Sequence, residues 1–221
     1  MSVPIERFPS LDGLESLAHG FLLRAPGVRV GVEREEALAN LAPTFRAGIC
    51  ELGFSPAQVA TCEQVHGGKV AKVETAPGID APLAGVDGLI TDRQGICLGI
   101  YVADCCAVYI ADRHGRAIGL VHSGKKGTEF GIAPNAINML RHEYGIPVED
   151  LTVQLSPCIR PPAYEIDFAA QIRKDVLAAG VPEEQVFDAG VCTSGDLGRY
   201  YSYRVEKGKT GRMLALMGLE G

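Results

Sequence analysis

The run Gly99-Ile-Tyr-Val-Ala-Asp-Cys-Cys-Ala-Val-Tyr-Ile-Ala-Asp112 decides how this chain is read. On both sides it has the apolar, aromatic and β-branched make-up of buried strand. Its middle holds an acid and two thiols, Asp104, Cys105 and Cys106. Side chains alternate along a strand, so Cys105 and Cys106 face opposite ways. Cys106 is then expected in the core.

Working outward, residues 88–91 and 95–102 are strand-like. Residues 107–111 and 117–121 are further strands, joined by the tight turn Asp112-Arg-His-Gly115. Residues 58–65 and 69–73 flank His66-Gly67-Gly68, which reads as a hairpin with His66 at its turn. Residues 33–52 carry Ala37, Leu38, Leu41, Phe45, Ile49 and Leu52 at helical spacing and stop at Gly53. Helices are also expected over 128–143 and 164–179, with strands at 19–24 and 151–155. The tail, 200–217, has no definite period. Hairpins and strands dominate the middle, so the expectation is one α/β domain over residues 1–221, layered, with mixed sheets and covering helices.

Bulk composition sets limits on function. The 221 residues are 47% hydrophobic and 22% charged. A chain of this length buries about 70% of its unfolded surface and needs no staple to fold. The net charge of −6 argues against a nucleic-acid binder. No apolar run is long enough to cross a bilayer, so no membrane partner is expected. The opening MSVPIERFPSLDG has neither the basic end nor the apolar stretch of a secretory signal. Seven cysteines, an odd number with no CxxC pair, fit reduced thiols and a cytoplasmic location.

Three residues suit one task. His66 is placed at a turn, Cys105 inside the opening run, and His122 at the end of the following strand. If the strands ending at 103 and 121 are neighbours, Cys105 and His122 meet at one sheet edge. One imidazole beside a thiol makes a nucleophile. Two imidazoles and a thiolate also suit zinc, with a fourth position left open for catalysis. Taken singly, Cys105 also reads as a core thiol and each histidine as a hydrogen-bonded loop residue. The turn His122-Ser-Gly-Lys-Lys-Gly-Thr128 leads into a helix, where free N–H groups, Lys125 and Lys126 could receive an anion. It also reads as a solvated basic turn.

Several blocks together resemble the laccase-domain family, also called the multicopper polyphenol oxidoreductase or YfiH-like family. They are Gln64-Val-His-Gly67, Asp87-Gly-Leu-Ile-Thr91, Ala103-Asp-Cys105 and Val121-His-Ser-Gly124, in the family's order. Leu155-Ser-Pro-Cys-Ile-Arg160, Tyr164-Glu-Ile166, Cys192-Thr193, Tyr201-Ser-Tyr-Arg204 and Thr210-Gly-Arg212 continue the match. The resemblance implies a layered α/β fold shared with the catalytic domain of cytotoxic necrotising factor toxins. It implies a metal site at His66, Cys105 and His122, holding zinc in preference to copper. It implies phosphorolysis of purine nucleosides, with phosphate as co-substrate, and deamination of adenosine. The assembly expected is a monomer or a small homo-oligomer. Asp104 would then hold a metal ligand in place or carry a proton, and Arg24 and Glu165 would contact substrate.

Where the family has His-Ala-Gly-Trp-Arg-Gly, this chain has His122-Ser-Gly-Lys-Lys-Gly127, so an aromatic and an arginine fork are replaced by two lysines. Other functions consistent with the residues are a metal-independent Cys–His hydrolase or deamidase, a copper oxidase of phenols, and a divergent homologue without activity.

Overall fold

Strands buried on both faces carry no alternation, and this chain has several. Met213–Leu219 is apolar or glycine throughout and buried at every position. Cys106–Asp112 is buried along its whole length as well. Such strands must lie in the middle of sheets with layers on either side.

The computed structural model describes residues 3–221. Its elements in chain order are β1 (Ile5–Glu6), β2 (Leu17–Leu22), α1 (Arg34–Glu51), β3 (Val59–Thr61), β4 (Val70–Lys72), β5 (Gly88–Thr91), β6 (Cys97–Val102), β7 (Cys106–Asp112), β8 (Ile118–Ser123), α2 (Lys125–Glu129), α3 (Ile132–Tyr144), β9 (Leu151–Leu155), α4 (Phe168–Ala178), β10 (Val186–Asp188) and β11 (Met213–Leu219). One sheet has the order β1-β2-β11-β6-β3, the other β10-β9-β7-β8-β5-β4. Both are mixed. β3 runs parallel to β6, β4 to β5 and β10 to β9, and the remaining pairs are antiparallel.

The layers follow from which side chains meet. Helix α1 lies on the first sheet so closely that a Cβ at Gly48 would sit 2.3 Å from Leu22 Cδ2. Between the sheets, Tyr109 of β7 is fully buried, donates its hydroxyl to the Gly20 carbonyl at 3.0 Å and meets the Phe8 ring edge-on. The next residues along β7, Val108 and Ile110, face the opposite way. They pack with Ile137 and Leu140 of α3 and Ile172 of α4. The stack is helix, sheet, sheet, helices. No helix among the described residues is long and apolar enough to cross a membrane.

Several local expectations are corrected. Residues 58–73 are not a hairpin, because β3 joins the first sheet and β4 the second. Gln64 and His66 both take positive φ, 63° and 62°, so the chain turns out of one sheet before it reaches the other. β6 and β8 are not sheet neighbours either; β8 pairs with β7 and β5. The helix expected over 128–143 is two helices, broken at Gly131 in the left-handed region (φ 66°). The helix expected from 164 starts at Phe168, where the Asp167 carboxylate caps it by accepting from Ala170 N–H at 2.9 Å. The tail is not irregular: β11 sits at the centre of the first sheet.

His19 of β2 carries a pH dependence. It is buried, stacks on Phe8, and its Nε2 accepts the Phe8 N–H at 2.8 Å. Burial lowers its pKa to about 4, against a smaller opposing pull from Asp12. An unfolded histidine titrates near 6.5. Below that pH the unfolded chain binds a proton that the folded chain refuses. Stability is therefore full above about pH 6.5 and falls as pH drops towards 4, by on the order of 3 kcal/mol for this group. Urea midpoints measured between pH 7 and 4.5 should fall steeply, and less steeply for His19→Gln.

Candidate metal centre

The stretch between β6 and β7 is only Ala103-Asp104-Cys105, and it crosses from one sheet to the other. Asp104 makes the turn in the left-handed region, with φ 81°. That conformation costs an aspartate on the order of 1 kcal/mol or more and needs fixing from outside. Its carboxylate accepts from Thr193 Oγ1 (2.7 Å), Ser202 Oγ (3.1 Å) and Arg204 N–H (2.7 Å), while its carbonyl accepts from Ile159 N–H (2.8 Å). Asp104 thus anchors the loops of the C-terminal third to the crossover. Those bonds engage both carboxylate oxygens, and neither reaches a histidine ring; Asp104 bears on the ligands only through the crossover that carries Cys105.

The carboxylate that does reach a ring is Asp87, fully buried just ahead of β5. Register brings it there, since Gly88 pairs with Val121 and the Asp87 carbonyl accepts the His122 N–H at 2.8 Å. Asp87 Oδ1 lies 3.1 Å from His122 Nδ1 and accepts the His66 N–H at 2.8 Å. Oδ2 accepts the Gly67 N–H at 2.7 Å. One carboxylate therefore fixes the His122 ring and the backbone of the His66 turn. Gln64 pins the other end of that turn. Its amide donates to the Tyr101 carbonyl (2.6 Å) and accepts the Tyr101 N–H (2.9 Å).

The His66 and His122 rings meet edge to face with centroids 4.8 Å apart. One donor atom from each of His66, Cys105 and His122 lies within 4.8 Å of the other two. The convergence has a different cause from the one expected: β6 and β8 are not paired, and a sheet crossover delivers the thiol.

Burial works to raise the Cys105 thiol, but the His122 charge and hydrogen bonds from both rings outweigh it and lower its pKa to about 6. Burial likewise works to lower His122, and Cys105 and Asp87 together raise it to about 9. Asp87 is held below the usual carboxylate range, because the bonds from His122, Gly67 and His66 outweigh its burial. At neutral pH the cluster is a thiolate with an imidazolium, ready to exchange that proton for a metal ion.

The residues fit zinc. Two imidazoles and a thiolate are zinc donors, three protein ligands leave a position open, and Asp87 behind His122 is the carboxylate that orients a ligating ring. Gly124 leaves room for the sulfur, since a Cβ there would stand 2.4 Å from Cys105 Sγ. Gly124→Ala is expected to displace the thiol and cut bound metal well below one ion per chain, with little change in far-UV circular dichroism. Metal analysis of the purified variant checks this.

The family described as multi-copper polyphenol oxidoreductase laccase matches residues 27–173 and 165–220. The chain belongs to this family. It is 30% identical to purine nucleoside phosphorylase YlmD of Geobacillus stearothermophilus, over 87% of this chain and 82% of that one. It is 31% identical to a purine nucleoside phosphorylase of Deinococcus radiodurans, over 98% and 93%. The solved structure of the Geobacillus YlmD superposes with a TM-score of 0.84 at 27% identity, covering 97% of this chain and 94% of that one. Bacillus licheniformis YfiH shares the fold, with a TM-score of 0.83 at 23% identity over 95% of each chain.

In this laccase-family chain the three donors line a cavity of about 690 Å³. Tyr101, Tyr164, Phe168 and Tyr203 are its aromatic walls, and Arg34, Arg204, Lys207 and Arg212 its cations. The other expected residues lie elsewhere. Arg24 stacks on Tyr201 at 4.2 Å and pairs with Glu206 at 2.7 Å, so it braces the C-terminal segment. Glu165 pairs with the cavity residue Arg204 at 3.0 Å, both half exposed. Lys125 lines a separate groove between α2, α3 and α4, and Lys126 lines neither. Both lysines belong to the first turn of α2, which at five residues is too short to offer an anion site.

Asp87, Gln64 and Arg34 were not legible as site residues. Asp87 stood in a matched block but next to no ligand in sequence. Nothing local marks Arg34, the first residue of α1.

Proposed function

We propose that the chain is a purine nucleoside phosphorylase working through His66, Cys105 and His122 with one bound zinc ion. The observation that carries this is the convergence of the three donors on a cavity with aromatic walls and an excess of cations. The relatives' names support the same reaction. A phosphate oxygen bonds to the anomeric carbon of the ribose as the bond from that carbon to the purine nitrogen breaks, and a proton ends on the released base. Zinc, when bound, supplies Lewis acidity for negative charge on an oxygen. The chain's own groups do the rest. Asp87 keeps His122 in one tautomer and orientation. Tyr164 and Tyr203 offer faces for a purine ring. Arg204 and Lys207 bring positive charge to the mouth.

Zinc is preferred to copper on ligand chemistry. A multicopper centre would need more histidines than the five in the chain.

The test is incubation of zinc-loaded protein with adenosine, inosine, guanosine and methylthioadenosine, with and without phosphate, read by mass spectrometry. Free base that appears only with phosphate supports phosphorolysis. Inosine from adenosine adds deamination. No base from any of the four would end the reading. The thiolate beside an imidazolium also favours a metal-independent Cys–His enzyme. Turnover that survives a chelator but not iodoacetamide would select that alternative.

A further inference from the structure

The cavity reverses the charge of the chain that contains it. The protein is acidic overall, with a net charge of −6, yet Arg34, Arg204, Lys207 and Arg212 share this one space. Its single lining carboxylate, Asp104, is engaged with Thr193, Ser202 and Arg204. Arg204 has Glu165 as a partner. Among the described residues, Arg34 and Arg212 pair with no carboxylate.

Arg212 is the better positioned of the two. It leads directly into β11 at the centre of the first sheet. Before it, Gly211 presses on Tyr201, where a Cβ would lie 2.6 Å from the ring. Its Nη1 donates to the carbonyls of Thr210 (3.1 Å) and Gly211 (2.8 Å). That fixes one corner of the guanidinium. Nε and Nη2, which form the edge that grips an oxyanion in two parallel bonds, have no partner among the described residues. Burial and the nearby Arg34 charge both work to lower the Arg212 pKa, so the two guanidinium groups sense each other as like charges. Arg212 is half-buried beside the like charge of Arg34 with no counter-ion among the described residues, which is costly, and an anion between the two removes the cost.

We infer that Arg34 and Arg212 form a phosphate subsite in this cavity, beside the His66–Cys105–His122 cluster. Its ligand class is a tetrahedral oxyanion. The subsite rests on the phosphorolysis reading only in taking that anion to be the co-substrate. It also explains how the chain carries Lys125 and Lys126 in place of the family's Trp-Arg: neither lysine lines this cavity.

Two measurements on the zinc-loaded protein test it. Isothermal titration calorimetry with inorganic phosphate, and no nucleoside, is run on the wild type, Arg212→Gln, Arg212→Lys, Arg34→Gln and Lys125→Ala. Arg212→Gln should weaken Kd at least tenfold, Arg212→Lys less, Arg34→Gln severalfold, and Lys125→Ala not at all. Arg34 is exposed at the helix start, so its variant keeps the test open if Arg212→Gln fails to fold. In steady state, the same arginine variants should raise KM for phosphate while KM for the nucleoside stays within about twofold. Phosphate bound equally by all variants, or not at all by the wild type, overturns the subsite. If phosphate binds through the arginines but no nucleoside is split, the subsite stands and the phosphorolysis reading falls. If nucleoside is split with phosphate and the arginine variants are unaffected, the reverse holds.

Discussion

Cys105→Ala is expected to abolish nucleoside turnover and metal retention together. Even a group that only orients a metal ligand changes affinity by about 10–100-fold when replaced. Loss of the one sulfur donor leaves two imidazoles, one of them exposed, and should exceed that range. The thiol is also the anion that keeps His122 charged. Without it, burial acts on the ring with only Asp87 opposing, and the His122 pKa should drop from about 9. Packing predicts little harm, because Cys105 sits at the edge of the core and its removal leaves space on the cavity side. The measurements are metal per chain, base released per minute, and the thermal midpoint of the metal-free protein. A variant that keeps its metal and at least a tenth of wild-type turnover would remove Cys105 from the chemistry.

The second large effect is at Asp87, and it differs in kind. Its carboxylate is buried and accepts three hydrogen bonds, two from backbone N–H groups and one from the His122 ring. In Asp87→Ala those donors lose their acceptor, and each unsatisfied buried group costs about 1–3 kcal/mol. The loss should therefore be several kcal/mol, enough to be visible as an early urea transition. In Asp87→Asn the shape remains but the negative charge is gone. Two N–H groups and a ring then compete for one amide oxygen. Metal affinity should fall about 10–100-fold with a smaller loss of stability. Competition with a chelating dye measures the first and urea unfolding the second. An Asn variant with unchanged metal affinity would mean that His122 is oriented by something other than this carboxylate.

Legibility followed the range of the forces involved. β9 coincides with the strand read at 151–155, and α1 falls within the helix read at 33–52, because apolar period and end signals are local. The order of strands in the two sheets was not local and was not legible. Residues 58–73 show strand-like runs around Gly67-Gly68, the signature of a hairpin. What breaks that reading is positive φ at Gln64 and His66, a conformation those side chains do not advertise. β11 was missed for the opposite reason. Like β7 it is buried on both faces and has no period, but its Met, Leu, Ala and Gly residues also lack the β-branched and aromatic side chains that marked β7 as strand. The three candidate metal donors were recognisable from collinear blocks, but the groups that hold and surround them, Asp87, Gln64 and Arg34, act across the fold. The lysines of α2 drew attention as charges in a turn, yet neither lines the cavity of the three donors; the cations that do, Arg34, Arg204, Lys207 and Arg212, lie far away in sequence.

Two of the three donors ride on segments that leave one sheet for the other: His66 between β3 and β4, Cys105 between β6 and β7. The third, His122, closes a strand that belongs wholly to the second sheet. An ion gripped by all three would act as a rivet through both layers. Because a ligand bound only by the native form stabilises it by mass action, chelation should loosen the two sheets in concert, so that amides of β6 and of β8 exchange with solvent faster together.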